Sequence, residues 1–202
     1  MRIGILGAGL MGGKLGTIFA QAGHEVVFRY ARNNDKLKKR RGAPKAMLAP
    51  ARLARPRRNR TRCCWPCIGR ESTCCLPMDS GDTQLIVGTT TSGAEELAKK
   101  APKALVVCAF NTVPSEVLFG VFEARRKKSR PSLVYCGDDQ SAKDVVAPLI
   151  DDAGFDAVDV GPLRMARHTE PFALLVGEIA YNGQGCPEIA YRFERFNYSA
   201  VR

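Results

Sequence analysis

At 202 residues and 45% hydrophobic content the chain is long enough to bury one large core with a small appendage. No stretch approaches the roughly 18 apolar residues that a membrane span requires, and no apolar run preceded by basic residues opens the chain, so a soluble, cytoplasmic protein is expected. The net charge of +11 points to a nucleic-acid partner only if it is spread over the surface, and it is not: residues 36–62 hold 12 Lys and Arg and no acid, while the rest carries 19 basic against 20 acidic residues.

In chain order, the first feature is Met1-Arg2-Ile3-Gly4-Ile5-Leu6-Gly7-Ala8-Gly9-Leu10-Met11-Gly12, an apolar strand running into G-x-G-x-x-G and a helix. In a dinucleotide-binding turn Gly7 permits the tight bend, Gly9 lets backbone approach a diphosphate, and Gly12 lets helix and strand pack closely. The diphosphate would rest on the peptide N–H groups that open the helix, which makes Gly7, Ala8, Gly9, Leu10, Met11 and Gly12 candidate cofactor contacts. An ordinary glycine-rich turn is the competing reading, disfavoured by the strand before it and the helix after it. The helix is expected over 10–22 with Leu10, Ile18 and Ala22 toward the sheet, stopped by Gly23. A second strand is expected over 24–28, with His24 as its polar opener rather than a catalytic base.

The residues after that strand choose the cofactor. An acid about 20 positions past the last glycine favours NAD, and an arginine nearby favours NADP. Here Arg29, Arg32 and Lys36 occupy the region and the first acid is Asp35. Because guanidinium groups match phosphate oxygens in a bidentate fork, these three are assigned to the 2′-phosphate of NADP, against the alternative that they are solvated surface charges.

Residues 37–75 fit the pattern poorly. A doubly wound domain would place strand 3, a helix, strand 4, another helix and the start of strand 5 here, about 37 residues before any loop. The 39 residues present alternate at neither period 2 nor 3.6, as in Arg55-Pro56-Arg57-Arg58-Asn59-Arg60, so residues 40–75 are expected to be irregular, without a buried parallel strand. Five of the eight cysteines, Cys63, Cys64, Cys67, Cys74 and Cys75, lie here. The Cys64-Trp65-Pro66-Cys67 spacing suits a redox or zinc site, but a second C-x-x-C is missing and no metal site is assigned. A nucleic-acid-binding arm is disfavoured because the basic run lacks interleaved aromatics.

A third reading is a shifted reading frame. Cys-Cys-Trp-Pro-Cys-Ile must be encoded TGY TGY TGG CCN TGY ATH. Read one base earlier, the same bases give Leu/Val/Met, Leu, Leu, Ala, Leu/Val/Met, His/Tyr and Trp/Arg, which is a buried strand. On this reading the frame departs near residue 40 and returns near Leu76, and the chain is an impaired remnant of its parent.

Beyond Leu76 ordinary patterning returns. Ser92-Gly93-Ala94-Glu95 is a capping box opening a helix to Lys100. Ala104–Phe110 is a continuous apolar run expected to be a buried parallel strand. Asn111 and Thr112 leave its carboxyl end, where ligands of open α/β sheets bind, and are candidates for the nicotinamide side; a plain helix entry is the alternative. A strand over 131–136, a helix opened by Ser141, a strand over 155–160, a helix over 168–181 with Pro171 in its first turn, and a helix over 187–196 complete the expectation. His168, beside Glu170, is read as a surface or capping residue.

Gly7-Ala8-Gly9-Leu10-Met11-Gly12, Tyr30-Ala31-Arg32, Ala109-Phe110-Asn111-Thr112-Val113-Pro114, Tyr135-Cys136-Gly137-Asp138-Asp139 and Gly161-Pro162-Leu163 occur in this order, and the chain resembles the NADP oxidoreductases of the coenzyme F420-dependent family. The resemblance covers residues 1–39 and 76–196, and pyrroline-5-carboxylate reductases share a similar N-terminal domain. Members of the family carry a strand like Leu-Leu-Ala-Val-His-Trp where this chain has residues 63–68, a departure that agrees with the shifted frame. The fold class expected is α/β, a Rossmann-type doubly wound, mostly parallel sheet with a small C-terminal helical region. Residues 1–165 would form the nucleotide-binding domain, with 40–75 as an aberrant insert, and residues 166–202 would pack on it as helices. The resemblance implies hydride transfer between NADP(H) and a second redox partner: coenzyme F420, a flavin, or a small-molecule substrate such as a quinone or imine. Such a transfer asks for no catalytic side chain, since the cofactors carry the chemistry, and none is assigned. No membrane partner is expected, and a homodimer is left open.

Overall fold

Ile3 and Ile5 point to one face of a short strand and are buried, while the second strand brings Val26 and Phe28 beside them. This alternation seeds the core of the chain, whose computed structural model describes residues 1–6, 9–29, 46–48, 62–64, 76–79, 84–183 and 187–195. Strand β1 (Arg2–Leu6) leads into helix α1 (Leu10–Gln21), and β2 (Glu25–Arg29) pairs with β1 in parallel, Ile3 opposite Val26 and Ile5 opposite Phe28. Gly23, with φ of 95°, ends the helix as its position foretold.

The helix face differs from the expected one. Leu10 is 73% exposed, and the residues turned to the sheet are Leu15, Ile18 and Phe19, with Ala22 packed against the same core. Leu10 is the first helical residue, and the close approach to Ile5 and Phe28 is made farther along the helix, at Gly16.

Residues 40–75 require a second correction. Two three-residue strands lie within them, β3 (Ala46–Leu48) and β4 (Arg62–Cys64). Both pair in parallel, β3 with β2 through Ala46 opposite Val26, and β4 with β1 through Cys63 opposite Gly4. The four strands run β3-β2-β1-β4, the nucleotide-binding half of a Rossmann sheet. Backbone hydrogen bonding is indifferent to side chain, so a segment of unpromising composition extends the sheet where β1 and β2 offer open edges. Cys67, Cys74 and Cys75, and with them the C-x-x-C reading, lie outside the described residues.

The second half is built from α2 (Gly93–Lys100), β5 (Val107–Cys108), α3 (Val117–Glu123), β6 (Ser132–Gly137), α4 (Gln140–Asp152), β7 (Asp156–Asp159), a single 3-10 turn (Leu163–Met165) and α5 (Ala166–Tyr181). Strands β5, β6 and β7 form a three-stranded sheet in that order. The pairing of β6 with β7 is parallel, but β5 runs antiparallel to β6 and is two residues long, where a buried parallel strand over 104–110 was expected. Leu105 is exposed, and Phe110 takes a left-handed backbone with φ of 64°, so the apolar run is cut at both ends. Asp139, not Ser141, caps α4 by accepting from the N–H of Ala142 at 2.8 Å. Pro171 lies a turn and a half into α5 rather than in its first turn.

The helix expected over 187–196 does not form in its described part. Residues 187–195 run without helix, and the segment is held instead by the N–H of Ser132 donating to the carbonyl of Tyr191 and by the N–H of Phe193 donating to Ser132 Oγ. Tyr191 explains the preference: its ring stacks edge-on with Phe172 and Phe193, and its hydroxyl accepts from the N–H of Val134. Side-chain docking on β6 outweighs local helix propensity. One apolar cluster joins the halves: Ile3, Ile5, Ile18 and Phe19 pack with Phe110, Leu118, Leu133, Ile150 and Phe155. His24 is an anchor at the edge of this core, with Nε2 2.8 Å from Asp152 Oδ2.

Candidate dinucleotide site

The site begins at the start of α1. Gly9 caps the helix without a side-chain acceptor, and no acid stands in the first turn, so the helix carries no capping carboxylate of its own at its positive end. A Cβ built on Gly9 would meet no atom within 4 Å. Open space therefore adjoins Gly9, and the chemistry of the helix start, the first-turn N–H groups of Leu10, Met11 and Gly12 with no acid in that turn, fits a diphosphate. Gly7 and Ala8 lie outside the described residues, as do Arg32 and Lys36; of Arg29 only the backbone is described, at the carboxyl end of β2.

Close packing of helix on strand is the work of a glycine that the fingerprint does not contain. A Cβ on Gly16 would fall 2.2 Å from Phe28 Cζ and 2.8 Å from Ile5 Cδ1. Gly12 and Gly13 are buried beside it.

The second part of the site is the loop from Phe110 to Ser115. The left-handed Phe110 is strained for a side chain of its size, and its ring packs edge-on against Phe19 of α1, centroids 6.2 Å apart. Lys14 of α1 reaches the same loop, donating to the carbonyl of Ser115 at 2.7 Å and to Ser115 Oγ at 3.3 Å. Helix α1 and the 110–115 loop are thus fastened together at two points.

Asn111 and Thr112 sit in this loop, but both are buried, at 8% and 0% exposure. Asn111 Nδ2 donates to the carbonyl of Thr169 at 3.4 Å and Asn111 Oδ1 accepts from the Cys108 thiol, while Thr112 Oγ1 and the Tyr191 hydroxyl share a 2.7 Å hydrogen bond. Their side chains are committed to holding the loop against α5 and the 187–195 segment. The alternative role of Pro114 as a first-turn helix residue is not realised, since α3 begins at Val117.

Helix α5 contributes residues that the sequence did not single out. Glu170, 1% exposed, accepts from the N–H of Gly93 at 2.9 Å and of Ala94 at 3.0 Å, so a carboxylate from α5 caps α2. Burial in the fold pushes its pKa up to about 7, against the two N–H bonds that favour the ionised form. Ser92 caps the same helix, accepting from the N–H of Glu95, as the capping box foretold. Glu95 turns back to the Ser92 hydroxyl and to Arg167, whose Nε and Nη2 bind it as a fork at 2.8 and 2.7 Å; that fork holds the Glu95 carboxyl below its usual range. The Thr169 hydroxyl is buried without a partner among the described residues. His168 is exposed, as expected of a surface residue. No sequence signal marks Glu170, because its partners are backbone groups 76 and 77 positions away.

Among the described residues no group of three or more His, Cys, Asp and Glu is arranged to hold a metal, and no helix is long and apolar enough to cross a membrane. A groove of about 300 Å³ runs along α3, lined by Glu116, Val117, Gly120, Arg130 and Gly154, and none of the described candidate cofactor residues borders it.

A parallel β3-β2-β1-β4 sheet whose β1 precedes a helix capped by Gly9, with open space beside that glycine, is a Rossmann-type arrangement, the fold class of dinucleotide-binding proteins. Residues 2–53, which carry the turn, match the model of the family NADP oxidoreductase, coenzyme F420-dependent. The resemblance drawn from the motifs is borne out there, and NADP-dependent oxidoreductase is the function class it supports. The fold is shared with a protein of Arthrobacter sp. FB24 to which an F420-dependent NADP-reductase activity is ascribed, at 22% identity and a TM-score of 0.74, covering 96% of this chain and 100% of that one. It is also shared with the hypothetical protein SMa0349 of Sinorhizobium meliloti, at 22% identity, a TM-score of 0.56 and 97% and 96% coverage. The imine reductase of Streptomyces aurantiacus matches at 12% identity and a TM-score of 0.54, over 89% of this chain and 62% of that one.

Proposed function

We propose that the chain transfers a hydride between NADP(H) and a second small redox molecule, a deazaflavin of the F420 type. The observation that carries the reading is the fastening of the glycine-turn helix to the 110–115 loop through Lys14–Ser115 and Phe19–Phe110. It ties the phosphate-binding end of the site to the loop proposed for the nicotinamide side, and a nicotinamide cofactor must be held at both ends for its reactive carbon to be oriented.

In this reading Gly7, Ala8 and Gly9 shape the turn, and the N–H groups of Leu10, Met11 and Gly12 hold the diphosphate. Arg29, Arg32 and Lys36 bind the 2′-phosphate and set the preference for NADP over NAD. Asn111 and Thr112 act as positioning residues: their side chains hold the loop to Thr169 and Tyr191, and its backbone forms the nicotinamide-side wall. The bound cofactor supplies the hydride, and the chain supplies orientation and exclusion of water, with no side-chain nucleophile or base.

Fluorescence titration with NADPH and NADH tests the reading. Saturable micromolar binding of NADPH, at least about tenfold weaker binding of NADH and loss of that preference in Arg32→Ala are expected. Equal affinity for the two nucleotides, or no saturation, refutes it. NADPH oxidation followed with F420, a flavin or a cyclic imine then identifies the partner, and turnover with F420 alone is the expected result.

A further inference from the structure

We propose that Cys108 and Cys136 form a reversible disulfide across β5 and β6 that governs the Asn111 side of the nucleotide site. The two residues are register partners in the antiparallel pair, and both thiols are buried in one small cluster with Ala94, Leu163 and Ala166. Their spacing follows from the ladder. Tyr135 accepts from the N–H of Val160 and Gly137 donates to the carbonyl of Gly161, so both turn their peptide groups toward β7, and Cys136, between them, turns its own toward β5. Cys108 and Cys136 are therefore the hydrogen-bonded kind of pair, with Cα atoms about 5.5 Å apart. That lies inside the span of roughly 4.4 to 6.8 Å that a disulfide bridges. Cβ atoms of such pairs are about 5 Å apart, and a disulfide wants about 4 Å, so β5 must close by about 1 Å. A strand of two residues, with exposed Leu105 on one side and left-handed Phe110 on the other, has few ladder bonds resisting that movement.

The oxidant is a hydroperoxide. Local opening of β5 exposes Cys108, the thiol on the shorter strand. Its thiolate attacks the peroxide O–O bond, forming a sulfenic acid as the alcohol leaves; the Cys136 thiol then attacks that sulfur, the S–S bond forms and water leaves. Two thiols are oxidised by two electrons in total, and one hydroperoxide is reduced to alcohol and water. A dithiol reverses the step by exchange.

The consequence reaches the site through two contacts. Cys108 Sγ–H donates to Asn111 Oδ1 at 3.6 Å, and Cys136 Sγ–H to the carbonyl of Leu163 at 3.9 Å. A disulfide has no S–H, so both donors disappear, and β5 moves the residues immediately before Asn111. This effect on binding rests on the NADP reading above; the cross-link itself does not.

The test uses the full chain in its native state. It is treated with hydrogen peroxide, the remaining thiols are alkylated, and a tryptic digest is mapped without reduction. Residues 104–125 and 129–143 are separate tryptic peptides with one cysteine each. The expected result is these two peptides joined, separated again by dithiothreitol, with NADPH binding weakened about fivefold after oxidation and restored on reduction. Cys136→Ala should lose both effects, and because the map is read on the unmodified chain it stands even if that variant does not fold. Recovery of both peptides as alkylated thiols overturns the disulfide, and a joined pair with unchanged NADPH affinity overturns the control of the site. Failure of the nucleotide reading would show differently, as no NADPH binding by the reduced chain, with the peptide map still deciding the cross-link.

Discussion

The sharpest separation of binding from folding is available at Gly9→Ala. Gly9 has φ of −68° and ψ of −168°, a conformation that alanine adopts without strain, and the added Cβ meets no atom of the chain within 4 Å. Two small terms act on stability: loss of unfolded-state freedom stabilises by about 0.4–1 kcal/mol, and alanine is a poorer helix cap than glycine by about as much. The net change should lie within about 0.5 kcal/mol. Binding should respond quite differently. If the diphosphate lies on the first turn of α1, the methyl group stands where backbone and phosphate must approach, and an overpacked contact of about 1–3 kcal/mol lowers NADPH affinity by about 5- to 150-fold. Urea unfolding and fluorescence titration on the same preparation measure the two. A variant as stable as the parent that binds NADPH equally well would refute the placement of the diphosphate.

Other outcomes follow from the packing and charge. Glu170→Gln tests the buried carboxyl: a pKa raised from 4.5 to about 7 means that ionisation is disfavoured in the fold, so stability is greatest below pH 4.5, falls by about 3 kcal/mol as pH rises to 7 and then levels. Unfolding free energies between pH 4.5 and 8 should show this fall in the parent and lose most of it in the variant; parallel curves contradict the assignment. Gly16→Ala should destabilise by about 1–3 kcal/mol despite better helix propensity, since Phe28 and Ile5 occupy the space of its Cβ; unchanged urea midpoints would mean that α1 sits farther from the sheet. Lys14→Met should lower stability by about 1–3 kcal/mol and weaken NADPH binding severalfold, and a fall in stability with unchanged NADPH affinity would count against a role for this fastening in the nucleotide site. Resequencing the gene across residues 40–75 is expected to show a one-base departure from frame, and a clean single frame encoding the present residues removes that proposal.

What was legible in the sequence was local. Strand β1, α1 with its stop at Gly23, the capping box at Ser92, strand β6 and helix α5 all rest on patterns within a dozen residues, where chain geometry alone forces the outcome. The misreadings share a cause. Residues 46–48 and 62–64 join the sheet through edges supplied by β1 and β2; of the 104–110 run only Val107 and Cys108 pair, antiparallel to β6, before Phe110 turns left-handed and packs on Phe19; and residues 187–195 forgo helix because Tyr191 docks on β6 and Thr112. Each is decided by a partner far along the chain.

The site divides in the same way. The sequence by itself carried the proposal of a phosphate-binding turn, because a diphosphate needs close backbone approach that glycine spacing permits, and a motif of six residues holds that information. Only the tertiary structure decided that Lys14 reaches Ser115, that Phe110 packs on Phe19 behind a left-handed turn, that Glu170 caps α2, and that Cys108 faces Cys136. These are contacts between side chains and distant backbone. Their energy depends on desolvation and a few tenths of an ångström of placement, which no pattern of residue types along the chain encodes.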